Sequence, residues 1–265
     1  MVKVIVSGAK GRMGTCIVNA VAAAEDLKLV GCFDPHCAGQ VVSCADGDFA
    51  CSDELGALIV ATGADVVVDF TQPGAVLANV ECVLSHGAHA VVGTTGVARQ
   101  DMEALALKYA DKGGKLFFAP NFTTGAVLMM QFAKVAGKFF PDVEIVEMHH
   151  DGKKDAPSGT AVTTAHMIAE GRGGVRNAGP GSETEIAGCE GARGAEVDGV
   201  RIHAIRGDGY MASQEVIMSA AGQTLTIRHD STLREAYMPG VLLAIRNVAS
   251  LPEPFTVGLE CLMGL

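Results

Sequence analysis

Hydrophobic and polar positions follow two different rhythms along this chain, and the change between them divides it. The first half repeats a short apolar run, a turn and a stretch of helical spacing. Val2 to Val6 is the first run and ends in Gly8-Ala9-Lys10-Gly11-Arg12-Met13-Gly14, after which Ile17, Val18, Val21 and Ala22 recur on one helical face. Leu27 to Phe33 follows and ends at Asp34. Asp65 to Phe70 reads as a buried strand ending in Thr71-Gln72-Pro73, with a helix over Ala75 to Leu84. Ala88 to Val92 runs into Gly93-Thr94-Thr95-Gly96 and a helix to Lys112, and Lys115 to Phe118 leads to Ala119-Pro120-Asn121-Phe122. Such repetition predicts a doubly wound parallel sheet, in which the C-terminal strand ends surround the ligand crevice.

From Thr124 the rhythm changes. Thr124 to Phe140 is expected to form one long helix, leading to the strand-like positions Val143, Ile145 and Val146. Ser158 is an N-cap candidate for a helix to Glu170, with Ala161, Val162, Ala165, Ile168 and Ala169 at helical spacing. Gly171 to Gly199 is glycine-rich and weakly apolar and reads as a long loop with partial disorder. Val200 to Arg206, Gln214 to Ser219 and Gln223 to His229 alternate in the manner of antiparallel strands with one covered face. Pro239 opens a last helix to Ala249, and the apolar ending Phe255 to Leu265 is expected to return to the first domain. The predicted fold is α/β, in two parts. Residues 1–122, completed by the return over 236–265, form an N-terminal Rossmann-like parallel-sheet domain; residues 123–235 form a C-terminal α+β domain with a mixed, open sheet for substrate binding and oligomerisation.

At 265 residues the chain is long enough for two modest cores. Its formal charge of −10 argues against a nucleic-acid partner or an anionic membrane, because both need clustered Lys and Arg. It leaves room for a few local cations around an anionic small molecule. No apolar stretch reaches membrane-spanning length and the start lacks the layout of a signal peptide, so a cytoplasmic location is expected. The eight cysteines form no C-x-x-C pair, which favours reduced thiols over a metal site.

Two stretches carry chemistry. Glycines at 8, 11 and 14 lie between a strand and a helix, and Asp34 stands twenty residues beyond the last of them. This is the dinucleotide-binding arrangement: backbone approaches the pyrophosphate at a helix N-terminus and an acid meets the ribose, although Lys10 replaces the usual second glycine. Asp34 would repel a 2′-phosphate and Pro35 brings no arginine, while Lys10, Arg12 and His36 can reach the same region. Use of both NADH and NADPH is expected, with a lean towards NADH. The second stretch, Glu144 to Ala161, crowds His149, His150, Lys153, Lys154 and Pro157-Ser158-Gly159-Thr160 together. A helix start offers N–H groups to an anion, and imidazole and ammonium groups beside it suit proton transfer. Arg234 is a candidate bidentate clamp for a carboxylate. Another Rossmann oxidoreductase acting on a small carboxylic substrate, or a non-catalytic NAD sensor, shares the first stretch but gives no reason for the second. A metal hydrolase built on His149 and His150 is opposed by geometry, since neighbouring residues on a strand face opposite sides.

With these residues in view, the chain resembles the 4-hydroxy-tetrahydrodipicolinate reductase (dihydrodipicolinate reductase) family over essentially its whole length. The most specific part is an ungapped match of residues 144–161 to Glu-(Ile/Leu)-x-Glu-x-His-x-x-x-Lys-x-Asp-x-Pro-Ser-Gly-Thr-Ala. The Gly8 to Gly14 turn, Gly93-Thr-Thr, Ala119-Pro-Asn-Phe and Arg234 also fall at family positions. The resemblance implies NAD(P)H-dependent reduction of 4-hydroxy-tetrahydrodipicolinate to tetrahydrodipicolinate with loss of water, in lysine and diaminopimelate biosynthesis. It implies that Gly8, Ala9, Lys10, Gly11, Arg12, Met13, Asp34, Gly93, Thr94, Thr95, Ala119, Pro120, Asn121 and Phe122 hold the dinucleotide. His149 becomes a proton donor or acceptor and Lys153 a proton donor that meets the substrate, while His150, Gly159, Thr160 and Arg234 bind the substrate carboxylates. It also implies a homotetramer built through the second domain's sheets. Asp34-Pro35 departs from relatives in which an arginine follows the acid. Desolvation and neighbouring cations are expected to lower the pKa of His149.

Overall fold

The computed structural model describes residues 1–173, 186–189 and 191–265. The expected loop over Gly171 to Gly199 falls in part on residues 174–185 and 190, which lie outside the described residues. The chain divides into two compact units, Met1–Thr124 with Tyr237–Leu265, and Gly125–Ala236.

In the first unit, strands β1 (Val2–Ser7), β2 (Leu27–Phe33), β3 (Val41–Cys44), β4 (Gly47–Ser52), β5 (Val66–Asp69), β6 (His89–Val92) and β7 (Leu116–Phe118) alternate with helices. These are α1 (Arg12–Ala22), α2 (Leu55–Thr62), α3 (Pro73–Ser85) and α4 (Arg99–Lys108). α4 stops before Lys112, and the last residues of the expected helix form a separate 3-10 turn, Ala110–Lys112. After the second unit, the chain returns through α7 (Met238–Asn247), strand β13 (Phe255–Val257) and α8 (Glu260–Met263). Among the described residues the sheet order is β13-β7-β6-β5-β1-β2-β4-β3, parallel throughout except for the β3–β4 hairpin. β1 is central, and Val4, Ile5, Val6 and Ser7 are fully buried, which is why its sequence is apolar without alternation. Strand order reverses about β1, with β2 on one side and β5 on the other, so the crevice of the sheet opens at the end of β1. The sequence pattern does not announce β3, β4 or α2: the hairpin is largely exposed, so its apolar periodicity is weak.

The second unit begins on α5 (Thr124–Ala136), whose first residue closes the unit before it. Expected to reach Phe140, the helix ends four residues earlier. The Arg172 guanidinium accounts for the stop by donating to the Gly137, Phe140 and Pro141 carbonyls, which a continued helix would turn inward. β8 (Asp142–His149), α6 (Gly159–Gly171), β9 (Ala195–Val197), β10 (Val200–Arg206), β11 (Ala212–Ala220) and β12 (Gln223–Ser231) follow. Among the described residues they form a sheet in the order β12-β11-β8-β10-β9, covered on one side by α6. One expectation is corrected: β10 is antiparallel to β9 on one side but runs parallel to β8 on the other, with Arg206 beside His149. β9 is the reason: it runs opposite to β8, and the two-residue turn Asp198-Gly199, both at positive φ, reverses the chain into β10. β9–β10, β8–β11 and β11–β12 are antiparallel. No helix of the described residues is long and apolar enough to cross a membrane.

Candidate active site

Every residue expected to hold a dinucleotide lies beyond the C-terminal end of a parallel strand of the first unit. Gly8 follows β1 with φ +78°, a left-handed conformation in which a side chain would press on the Phe70 carbonyl and Thr71. Gly14, one turn into α1, is more constrained. A Cβ there would stand 2.0 Å from the Gly8 carbonyl oxygen, so only glycine lets the helix start this close to the turn. Gly11 is the N-cap of α1 without a capping side chain, which leaves the helix's first N–H groups for a ligand. Asp34 ends β2, and the Lys10 N–H donates to its Oδ2 at 3.3 Å, holding the carboxylate over the glycine turn with Oδ1 still able to accept. Lys10 Nζ reaches the Val41 carbonyl, on the unannounced hairpin.

Thr94 and Thr71 are organised by a residue that the sequence reading left without a role. Asp69, at the end of β5 and 2% exposed, accepts from Ser7 Oγ (2.9 Å), Asn79 Nδ2 (2.8 Å), Thr71 Oγ1 (2.7 Å) and Thr94 Oγ1 (2.9 Å). One carboxylate thus ties together the ends of β1, β5 and β6. Its signal was present, since an acid closing a run of buried valines has to find donors. Phe70 packs across the backbone of Gly93, where a Cβ would meet its ring at 2.2 Å, and lies 5.4 Å from the Phe122 ring. The fit of these residues to a dinucleotide is therefore good: an open helix start, a glycine-only approach and an acid at the next strand end. Burial pushes the Cys32 thiol, beneath this site, up to about 12, and no disulfide joins any of the eight cysteines.

In the second unit the sheet register gathers the other candidates at one end. Arg206, His149, Ala212 and Ser231 form one row across β10, β8, β11 and β12. The row brings Arg234, three residues after Ser231, to the end where His149 stands. Among the described residues no carboxylate pairs with Arg234. His149 Nδ1 lies 2.5 Å from Glu147 Oε2, and Lys153 Nζ lies 2.8 Å from both Asp155 oxygens. His150 is exposed beyond the strand end, and its ring lies over Gly152. At the start of α6, Ser158 Oγ accepts from the Ala161 N–H at 3.2 Å and the Val162 N–H closes on the Ser158 carbonyl. The Gly159 and Thr160 N–H groups remain for an incoming anion.

Glu147 and Arg206 are functional candidates that the sequence pattern alone does not single out. Glu147 occupies the covered face of β8 with Val143 and Ile145, fully buried, and Arg206 clasps it with two 2.8 Å hydrogen bonds. The charge at a core position was visible in the alternation; its partner, 59 residues on, was not. Burial alone would raise the Glu147 carboxyl, but hydrogen bonds from Arg206 and His149 hold it below its ordinary value. Burial is also the largest influence on His149 and depresses it; Glu147 opposes this, and Lys153 and Arg206 add to it.

A glycine turn with Asp34 at the strand ends of one unit, and His149 and Lys153 beside an open helix start in the other, fit the class to which the relatives below belong, the NAD(P)H-dependent oxidoreductases. Residues 2–122 match the model for "Dihydrodipicolinate reductase, N-terminus" and residues 125–263 that for "Dihydrodipicolinate reductase, C-terminus"; the chain belongs to the dihydrodipicolinate reductase family. It is 48% identical over 262 residues to the 4-hydroxy-tetrahydrodipicolinate reductase of Listeria welshimeri, covering 97% of this chain and 98% of that protein. With the enzyme of the same name from Thermobifida fusca it shares 48% over 268 residues, all of both chains. The dipicolinate-bound dihydrodipicolinate reductase of Paenisporosarcina sp. TG-14 superposes with a TM-score of 0.86 at 38% identity, covering 98% of this chain and 99% of that one. A probable dehydrogenase from Thermotoga maritima, 13% identical with a TM-score of 0.61, shares the fold alone.

Proposed function

We propose that the chain reduces 4-hydroxy-tetrahydrodipicolinate to tetrahydrodipicolinate with loss of water, in the synthesis of diaminopimelate and lysine. The observation that carries this reading is the cluster at the end of β8: a half-buried imidazole that burial holds towards its neutral form, an ammonium group and two open helix N–H groups on one short stretch. Loss of water requires a base for the ring proton next to the imine and an acid for the departing hydroxyl. His149 is the base and Lys153 the acid, and the Gly159 and Thr160 N–H groups, His150 and Arg234 hold the two carboxylates. Gly8 to Met13, Asp34, Gly93 to Thr95 and Ala119 to Phe122 would hold a reduced nicotinamide dinucleotide, which when bound would supply hydride to the carbon that bore the hydroxyl. His149 then returns its proton to the neighbouring ring carbon, and Lys153 is reprotonated from solvent. The sum is one hydride and one proton taken up and one water released.

The first unit is thus the nucleotide domain and the second the substrate domain. Asp34 followed by Pro35 supports a preference for NADH, and eight thiols without C-x-x-C spacing, several of them buried or half-buried, support a cytoplasmic location. A homotetramer is supported by the second unit's sheet, whose edge strand β12 is exposed along most of its length and would be covered by a second copy. The deciding experiment follows reduced-nicotinamide absorbance while the purified protein receives the condensation product of aspartate semialdehyde and pyruvate. Oxidation of NADH, and of NADPH with lower kcat/KM, is expected; no consumption of either would sink the assignment.

A further inference from the structure

We propose, resting on the acid–base role given to His149 above, that Glu147 and Arg206 are its positioning residues. The carboxylate, gripped by the guanidinium, receives the Nδ1 proton in a hydrogen bond and so presents Nε2, with its lone pair, to the substrate. Glu147 and His149 are two apart on β8, so their side chains share a face. Every acceptor position on Glu147 is occupied. Oε1 takes the Ser158 N–H at 3.1 Å and Arg206 Nη2 at 2.8 Å; Oε2 takes Arg206 Nη1 at 2.8 Å and His149 Nδ1 at 2.5 Å. A carboxylate in a ring of donors only accepts, so Nδ1 has to carry the hydrogen and a neutral ring has its free lone pair at Nε2.

Arg206 has three consequences. It neutralises a charge that would otherwise sit alone in the sheet's core and draw His149 towards imidazolium. It points both terminal nitrogens at Glu147, leaving its own buried Nε without a partner. Its Nη2 also donates to the Asp155 carbonyl at 2.8 Å, so the group that holds Glu147 also anchors the loop carrying Lys153. The charged groups around His149 are Glu147 on its own strand, Arg206 on β10, and Lys153 and Asp155 on the loop. Ala212, its neighbour on β11, and Ser158, which starts α6, are uncharged.

The test uses the full-length protein labelled with 15N-histidine, the His149 signals being identified by their loss in His149→Gln. Near neutral pH the ring should be protonated at Nδ1 and bare at Nε2; a ring protonated at Nε2 overturns the proposal. Glu147→Gln should lower kcat roughly 10- to 100-fold, leave the NADH Kd unchanged and move the acid limb of the pH profile to lower pH. Arg206→Met should move that limb to higher pH, because the remaining carboxylate is then uncompensated. Shifts of the same sign in both variants, or none, overturn the proposal, since loss of packing alone produces no opposed pair. Should Glu147→Gln not fold, the wild-type ring signal and the Arg206→Met profile decide between the same outcomes. A correct ring signal in a protein that leaves the condensation product untouched would defeat the catalytic reading and spare this one. Turnover by a protein whose ring is protonated at Nε2 would do the reverse.

Discussion

An imidazole hydrogen-bonded to a carboxylate is ordinarily drawn towards its charged form, yet at His149 burial outweighs Glu147, and Lys153 and Arg206 reinforce burial. The ring therefore stays neutral to lower pH than an ordinary histidine. Because the neutral form is the proposed base, activity should persist as pH falls below about 6.5, the unperturbed histidine value, and vanish only as pH passes down through the lowered pKa. A profile of kcat/KM against pH with its acid limb above that value would contradict this. At constant pH, His149→Gln and Lys153→Ala should each reduce kcat by roughly 100-fold or more, as expected when acid–base help is lost. NADH binding, followed by fluorescence titration, should survive in both. Near-normal turnover in either would remove that residue from the mechanism.

Among elements, the β1–α1 turn shows how little latitude the nucleotide site has. A methyl group at Gly14 would have to occupy space 2.0 Å from the Gly8 carbonyl oxygen, and the obstacle is backbone, which cannot swing aside as a side chain would. Gly14→Ala should therefore displace the turn and cost about 1–3 kcal/mol, the usual range for overpacking. Its dissociation constants for NADH and NADPH should both rise at least roughly 10-fold, read by calorimetry. Unchanged affinity for both nucleotides would show that the turn is not their seat. The β8–α6 element works by a different principle. Its buried Ser158 N-cap and buried Glu147 are joined through the Ser158 N–H, so the helix start and the carboxylate beside His149 are tied directly to each other.

Across the whole chain, sequence segments and structural units do not coincide. The C-terminal family segment runs from 125 to 263, whereas the second unit ends at Ala236 and the remaining residues belong to the first. The return is secured by β13, which pairs in parallel with β7, and by Arg246, which holds Asp26 with bonds of 2.7 and 2.8 Å. In solution, light scattering should give a mass near four times the chain's 27.3 kDa, as the proposed tetramer requires. A monomer at working concentration would leave the exposed β12 edge without the partner proposed for it.

The sequence by itself determined the parallel α/β half, the glycine turn with Asp34, and the loop and helix start that carry His149, Lys153, Gly159 and Thr160. All of these are local: an apolar period, a turn residue or a cap is written within about a dozen neighbours. Only the tertiary structure decided which distant groups complete them. The parallel course of β10, the Arg206 grip on Glu147 and the meeting of Ser7 and Thr94 on Asp69 depend on strand register, which is set by packing across tens of residues. The exposed β3–β4 hairpin is illegible in the sequence for the opposite reason, because a strand with little to bury leaves a faint apolar pattern. A buried charge in an apolar rhythm announces that a partner exists; the fold alone supplies its name.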